Sequence, residues 1–151
     1  HNKVSFMNHS SDLSIISTRI YQAPIAVIYS AFEDSSQLAK WWGPEGFTNT
    51  IHEFDLHPGG KWILTMHGPE KGNYENSSIF THVEPMKRVS WTRKSQPFFD
   101  MDILFEAVSE QETQMTFCMH FPSASDCEKM KPYVVPKNEE NFDRLERLLT
   151  A

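Results

Sequence analysis

Two runs of alternating apolar residues constrain this chain most. Phe99, Met101, Ile103 and Phe105 alternate with Asp100, Asp102 and Glu106, and Met115, Phe117, Met119 and Phe121 repeat the pattern around Thr116 and His120. A period of two puts one set of side chains on each face, so both runs read as strands with one face buried. Four further segments, 47–56, 61–67, 74–83 and 88–93, are separated by turns such as Pro58-Gly59-Gly60 and Glu84-Pro85-Met86-Lys87. Within 61–67, Trp62, Leu64 and Met66 share a face. Connections this short join antiparallel neighbours and leave no room for the crossover helices of a parallel sheet.

Different periods flank this block. Residues 13–21, LSIISTRIY, are rich in β-branched side chains and read as a first strand. Pro24 suits the first turn of a short helix whose apolar face is Ile25, Ile28, Tyr29 and Phe32. Ser35 or Ser36 is expected to cap a second short helix carrying Leu38, Trp41 and Trp42, which Gly43-Pro44-Glu45-Gly46 stops. At the other end, Pro132 and Pro136 interrupt residues 126–137, predicting a loop there. A helix is then expected to start at Asn138, with Glu139 and Glu140 at its positive pole and Phe142, Leu145, Leu148 and Leu149 as its stripe. Arg144 and Arg147 fall off that stripe, towards water. The expected fold is α+β, with a curved antiparallel sheet of six to seven strands around a C-terminal helix. Residues 12–151 form a single domain, and 1–11 read as a frayed or expression-derived terminus.

Several runs resemble the AHSA type of the START-like (SRPBCC) superfamily, the family named for activators of a heat-shock chaperone's ATPase. They are Lys40-Trp41-Trp42-Gly43-Pro44-Glu45-Gly46-Phe47-Thr48, Glu53-Phe54-Asp55-Leu56-His57-Pro58-Gly59-Gly60-Lys61-Trp62, Met66-His67-Gly68-Pro69, Glu84-Pro85 before Arg88-Val89, and Phe142-Asp143-Arg144-Leu145. The resemblance spans about residues 17–151 and implies the helix-grip fold, in agreement with the element order above. One departure is Asn141-Phe142, where the family's helix usually opens with Gly-Trp; it bears on the shape of the pocket roof. For function, the resemblance spans ligand-sequestering, polyketide-cyclase-like and chaperone-activating proteins.

Where one helix covers a broad curved sheet incompletely, a cavity results. Its expected lining is Trp62, Leu64, Met66, Tyr74, Phe99, Met101, Ile103, Phe117 and Met119, closed by Phe142 and Leu145, with Trp41 and Trp42 at the entrance. His67, Asn76, Arg93 and His120 are the further polar candidates inside it. Flexible methionines suit an adaptable pocket. The helical spacing of Trp41 and Trp42 equally fits anchors of the short helix to the sheet.

Other chemistries find little support. Lys plus Arg number 14 and Asp plus Glu 20, a net charge of −6 that repels phosphate backbones and anionic membranes, so neither nucleic acid nor membrane is an expected partner. No apolar stretch is long enough to span a bilayer, no leader is visible, and two cysteines fit a reducing compartment, so a cytoplasmic location is expected. The histidines match no zinc spacing, and neither a metal nor a cofactor is expected. No nucleophile elbow or Cys–His signature marks a catalytic set, and Asp100 and Asp102 fall on the wet face of their strand. The leading expectation is therefore a small hydrophobic or aromatic molecule bound in the cavity. The alternatives are a cyclase-like or hydrolase-like enzyme using cavity His and Tyr, and a chaperone-interacting module. The chaperone partner is disfavoured because those activators carry an additional N-terminal domain; a homodimer stays open.

Overall fold

The computed structural model describes residues 13–151, so the terminus expected over residues 1–11 lies outside the described residues. The strands are β1 (Ser14–Tyr21), β2 (Thr48–Phe54), β3 (Lys61–His67), β4 (Asn73–Glu84), β5 (Arg88–Arg93), β6 (Asp100–Ser109) and β7 (Glu112–His120). They form one antiparallel sheet in the order β1-β7-β6-β5-β4-β3-β2, so the first strand closes beside the last. The alternating runs do what their period requires: Met101, Ile103 and Phe105 are buried, as are Met115, Phe117 and Met119. In register, Trp91, Met101 and Met119 lie side by side across β5, β6 and β7. The turn at Pro58-Gly59-Gly60 has a steric reason, since a Cβ on Gly60 would sit 2.0 Å from the Asp55 carbonyl oxygen.

Two short helices, α1 (Ile25–Glu33) and α2 (Ser35–Trp41), follow β1. α1 buries Ile28, Tyr29 and Phe32 of the expected face together with Ala31, while Ile25 is only partly buried. Asp34, not a serine, caps α2: its carboxylate accepts from the Ser36 backbone N–H at 3.0 Å. Phe32 stacks on Trp91 at 5.8 Å, and Trp62 stands edge-on to Trp91 at 5.0 Å, which ties the short helices to the sheet through one aromatic cluster.

The terminal helix departs from expectation. α3 runs unbroken over Ala124–Thr150, 27 residues, with Pro132 and Pro136 inside it. The predicted loop and the Asn138 cap are both corrected. The two prolines are four residues apart and therefore on one face, and both are exposed, so the carbonyls that lose a partner reach water. Cys127, Val134 and Asn141, seven residues apart, hold the opposite face down. Ser123 is the true cap, its hydroxyl accepting from the Asp126 backbone N–H at 3.1 Å. Glu139 reaches Arg19 at 3.0 Å instead of sitting at a helix start.

Arg144 is the second correction: it does not face water. Its Nη1 donates to the carbonyls of Trp42 (2.8 Å), Gly43 (2.9 Å) and Pro44 (3.1 Å). Its Nη2 donates to those of Lys40 (3.0 Å) and Phe47 (2.9 Å). One guanidinium thus gathers the whole α2–β2 connection onto α3. Gly43 turns there with φ 97°, and a Cβ on it would meet Met66 Cε at 2.7 Å. Arg147, one turn on, does face outward and pairs with Glu45 at 2.7 Å.

Candidate functional site

Between α3 and the concave face of the sheet lies a cavity of about 80 Å³. β3 contributes Trp62 and Leu64, β5 contributes Trp91 and Arg93, and Met101, Phe117 and Met119 come from β6 and β7. Phe99 flanks it from the β5–β6 connection, Trp42 from the end of α2, and Asn138 and Asn141 from α3. Asn76 and Ser78 of β4 complete the wall. The void is smaller than the sequence suggested: an apolar cavity of ~150 Å³ has been seen to hold benzene, and pockets for larger ligands run to several hundred.

Of the residues expected to line it, Trp62, Leu64, Phe99, Met101, Phe117 and Met119 do so. Five others lie elsewhere. Ile103, Phe142 and Leu145 are sealed in the core, with Phe142 packed on Phe117 at 4.7 Å between ring centres. Met66 sits under the Gly43 turn, and Tyr74 is 55% exposed, resting on Phe47 at 6.0 Å. Of the two tryptophans placed at the entrance, Trp42 is part of the wall, whereas Trp41 is fully buried and donates its indole N–H to the Ala31 carbonyl at 2.9 Å. Trp41 is therefore an anchor and not an entrance. Ser78, Trp91, Asn138 and Asn141 were not foreseen; the inward face of a longer α3 is what brings the two asparagines in.

The polar groups of the wall are mostly committed. Asn141 Nδ2 donates to the Trp41 carbonyl at 2.7 Å, and Asn138 Nδ2 to Ser17 Oγ at 3.2 Å. Arg93 donates from Nη1 to Asn76 Oδ1, from Nε to the Pro97 carbonyl (2.9 Å), and from Nη2 to the Gln96 carbonyl (3.0 Å) and Ser95 Oγ (3.2 Å). Its guanidinium also lies 5.3 Å from the centre of the Phe99 ring. Burial pushes the Arg93 guanidinium down to about 10, leaving it charged at neutral pH. The buried Trp62 indole N–H has no acceptor among the described residues.

His67 and His120 do not enter the cavity; both lie on the convex face. His67 bridges Thr50 Oγ1 (2.7 Å) and Asn73 Oδ1 (2.8 Å). His120 joins Ser14 Oγ through Nδ1 (2.7 Å) and Asp102 Oδ2 through Nε2 (2.9 Å). Ser90 and Arg88 complete this net on Asp102 Oδ1, so it fastens β1, β7, β6 and β5 together. Burial would raise the Asp102 carboxyl, but the His120 and Ser90 hydrogen bonds and the Arg88 charge outweigh it and hold it below the usual range. Among the described residues, the cavity wall includes no His, Tyr, Cys, Asp or Glu, so His67, Tyr74 and His120, expected there from the sequence, lie outside it. Nor do the described residues include a cluster of three or more potential metal ligands.

A family model for the activator of Hsp90 ATPase homolog 1-like proteins matches residues 22–150. The chain belongs to this family. Protein NE0264 from Nitrosomonas europaea superposes with a TM-score of 0.83 at 21% identity, over 93% of this chain and 96% of its own. Ms6760 from Mycobacterium smegmatis gives 0.83 at 24% identity, over 93% of each chain. DynU16, a protein in the dynemicin biosynthetic locus, gives 0.67 at 16%, over 91% of this chain but 47% of its own. These likenesses confirm the helix-grip fold of the family. No curated protein matches the sequence. Among the described residues, no helix is long and apolar enough to cross a membrane.

Proposed function

We propose that this AHSA-type domain binds a small, flat aromatic molecule in the cavity under α3. The observation that supports it is the composition of the wall. Trp42, Trp62, Trp91 and Phe117 present aromatic surface, and Met101 and Met119 are the pliable neighbours on adjacent strands. A protein interior normally closes to near-crystalline density. A void bounded by aromatic rings and two methionines is a place where a ring can enter once the methionine side chains turn aside. About 80 Å³ is the volume before that movement.

The test uses neutral aromatics of one or two rings, with binding followed by saturation-transfer NMR. Binding is expected to the native protein and to be lost in Met101→Trp, whose indole fills the void while circular dichroism shows the fold retained. Undiminished binding in folded Met101→Trp would overturn the assignment of the site.

A further inference from the structure

Arg93 is the charged side chain of the cavity wall, and no carboxylate lies within ion-pair distance of it among the described residues. The other inward-facing arginines are answered differently. Arg19 meets Glu139, Asp143 and Glu146, and Arg144 has five carbonyls. A half-buried cation surrounded by neutral acceptors retains an unbalanced charge. Of the five N–H groups of a guanidinium, four are used on Asn76, Pro97, Gln96 and Ser95, which leaves one proton on Nη1.

A second, independent donor stands nearby. The Trp62 indole N–H is buried, belongs to the same wall and meets no acceptor among the described residues. The strand register places Trp62 opposite Ser78, and Ser78 opposite Arg93. The two donors therefore come from one row of the sheet, with only a serine on the strand between them, their backbones ~10 Å apart. Orphan buried donors are uncommon, and each costs stability unless something accepts from it.

We propose that the ligand of this cavity carries a carboxylate, which accepts from Arg93 Nη1 and from the Trp62 indole N–H while its ring lies against Trp91, Phe117 and the methionines. The proposal rests on the cavity being the binding site and adds the chemical class of the ligand. It assigns Arg93 a role beyond that of a staple for the Lys94-to-Phe99 connection, since a staple is indifferent to the charge of what enters the cavity.

Benzoate and benzamide, nearly equal in shape, separate the possibilities when titrated in parallel by heteronuclear NMR. Benzoate is expected to bind about 10-fold tighter or more, the range of one charge-assisted hydrogen bond. Because the contact is sheltered, the preference should persist at high salt, unlike attraction to surface lysines. Arg93→Gln should bring the ratio close to one while benzamide still binds. Should Arg93→Gln fail to fold, Arg93→Lys keeps the charge without the fork and should cut the preference several-fold. Trp62→Phe, which removes the second donor together with part of the ring, should also weaken benzoate more than benzamide. Equal binding of the two compounds to the native protein, or a preference unchanged in the Arg93 variants, overturns the carboxylate subsite and leaves the apolar cavity standing. If neither compound binds, it is the cavity reading itself that falls, and the carboxylate subsite with it.

Discussion

Replacing Arg144 with alanine should do far more damage than replacing Arg147, although the two lie one helical turn apart. Arg144 satisfies the carbonyls of Lys40, Trp42, Gly43, Pro44 and Phe47. Hydrogen bonds to a charged group contribute ~1.5–3 kcal/mol each. Nη1 shares two protons among three acceptors, and Arg144 is only half-buried, so water can reach part of the set after truncation. Counting two bonds at full value gives a loss of ~3–6 kcal/mol, a large share of a domain's usual 5–15. At ~2–4 °C per kcal/mol for a domain near this size, the melting temperature should fall by roughly 10 °C. Arg147 and Glu45, with side chains 61% and 43% exposed, are an exposed ion pair, so Arg147→Ala should leave the melting temperature nearly unchanged. Arg144→Lys should recover only part of the loss, because a single ammonium cannot serve both ends of the turn. Differential scanning fluorimetry on the three variants measures this. If Arg144→Ala melted within a degree or two of the native protein, the guanidinium would not be holding the Trp42 connection.

The other predictions are brief. Leu145, fully buried against the sheet, should not tolerate Asp: Leu145→Asp buries an unpaired charge and should destabilise by several kcal/mol, seen in urea denaturation as a lower midpoint. Asp102 titrates lower in the folded chain than its ordinary value of ~3.9 in the unfolded one. Its contribution is therefore complete above that value and drains away as the pH falls through the folded one; Asp102→Asn should flatten the acid limb of the stability curve, and an unchanged limb would refute the net drawn around His120. With a net charge of −6, the protein should show no binding to duplex DNA at physiological salt in a fluorescence anisotropy titration.

The strands were legible because their alternation is driven by burial of one face, and burial is what a period of two reports. Met101, Phe117 and Met119 were placed in the cavity wall on that signal alone. Face, however, is not position along a strand. Met66 shares its strand's inward face with Trp62 and Leu64, but lies near the end of β3, beneath the Gly43 turn. Tyr74 sits opposite Met66 in the register and so falls at the same far end. The start of α3 was hidden by Pro132 and Pro136, because a proline inside a helix costs a hydrogen bond that solvent on the exposed face can replace. The signal that reveals it is Ser123 three residues before Asp126, followed by Cys127, Met130 and Val134 at helical spacing. Missing it turned Asn138 into a cap and hid its place on the cavity wall. Arg93 was visible as a polar candidate, but its lack of a counter-ion is a three-dimensional fact that no spacing encodes.

The four tryptophans provide the most direct measurement, since each indole N–H gives its own signal in a nitrogen-correlated NMR spectrum. Trp42, Trp62 and Trp91 border the cavity, whereas Trp41 is sealed beneath it with its N–H on Ala31. Titrating a small neutral aromatic compound should shift the first three, Trp62 most because its N–H has no partner to hold it, and should leave Trp41 in place. Saturable shifts confined to that set locate the ligand under α3. Saturable binding that leaves all three unmoved would contradict the cavity as the site.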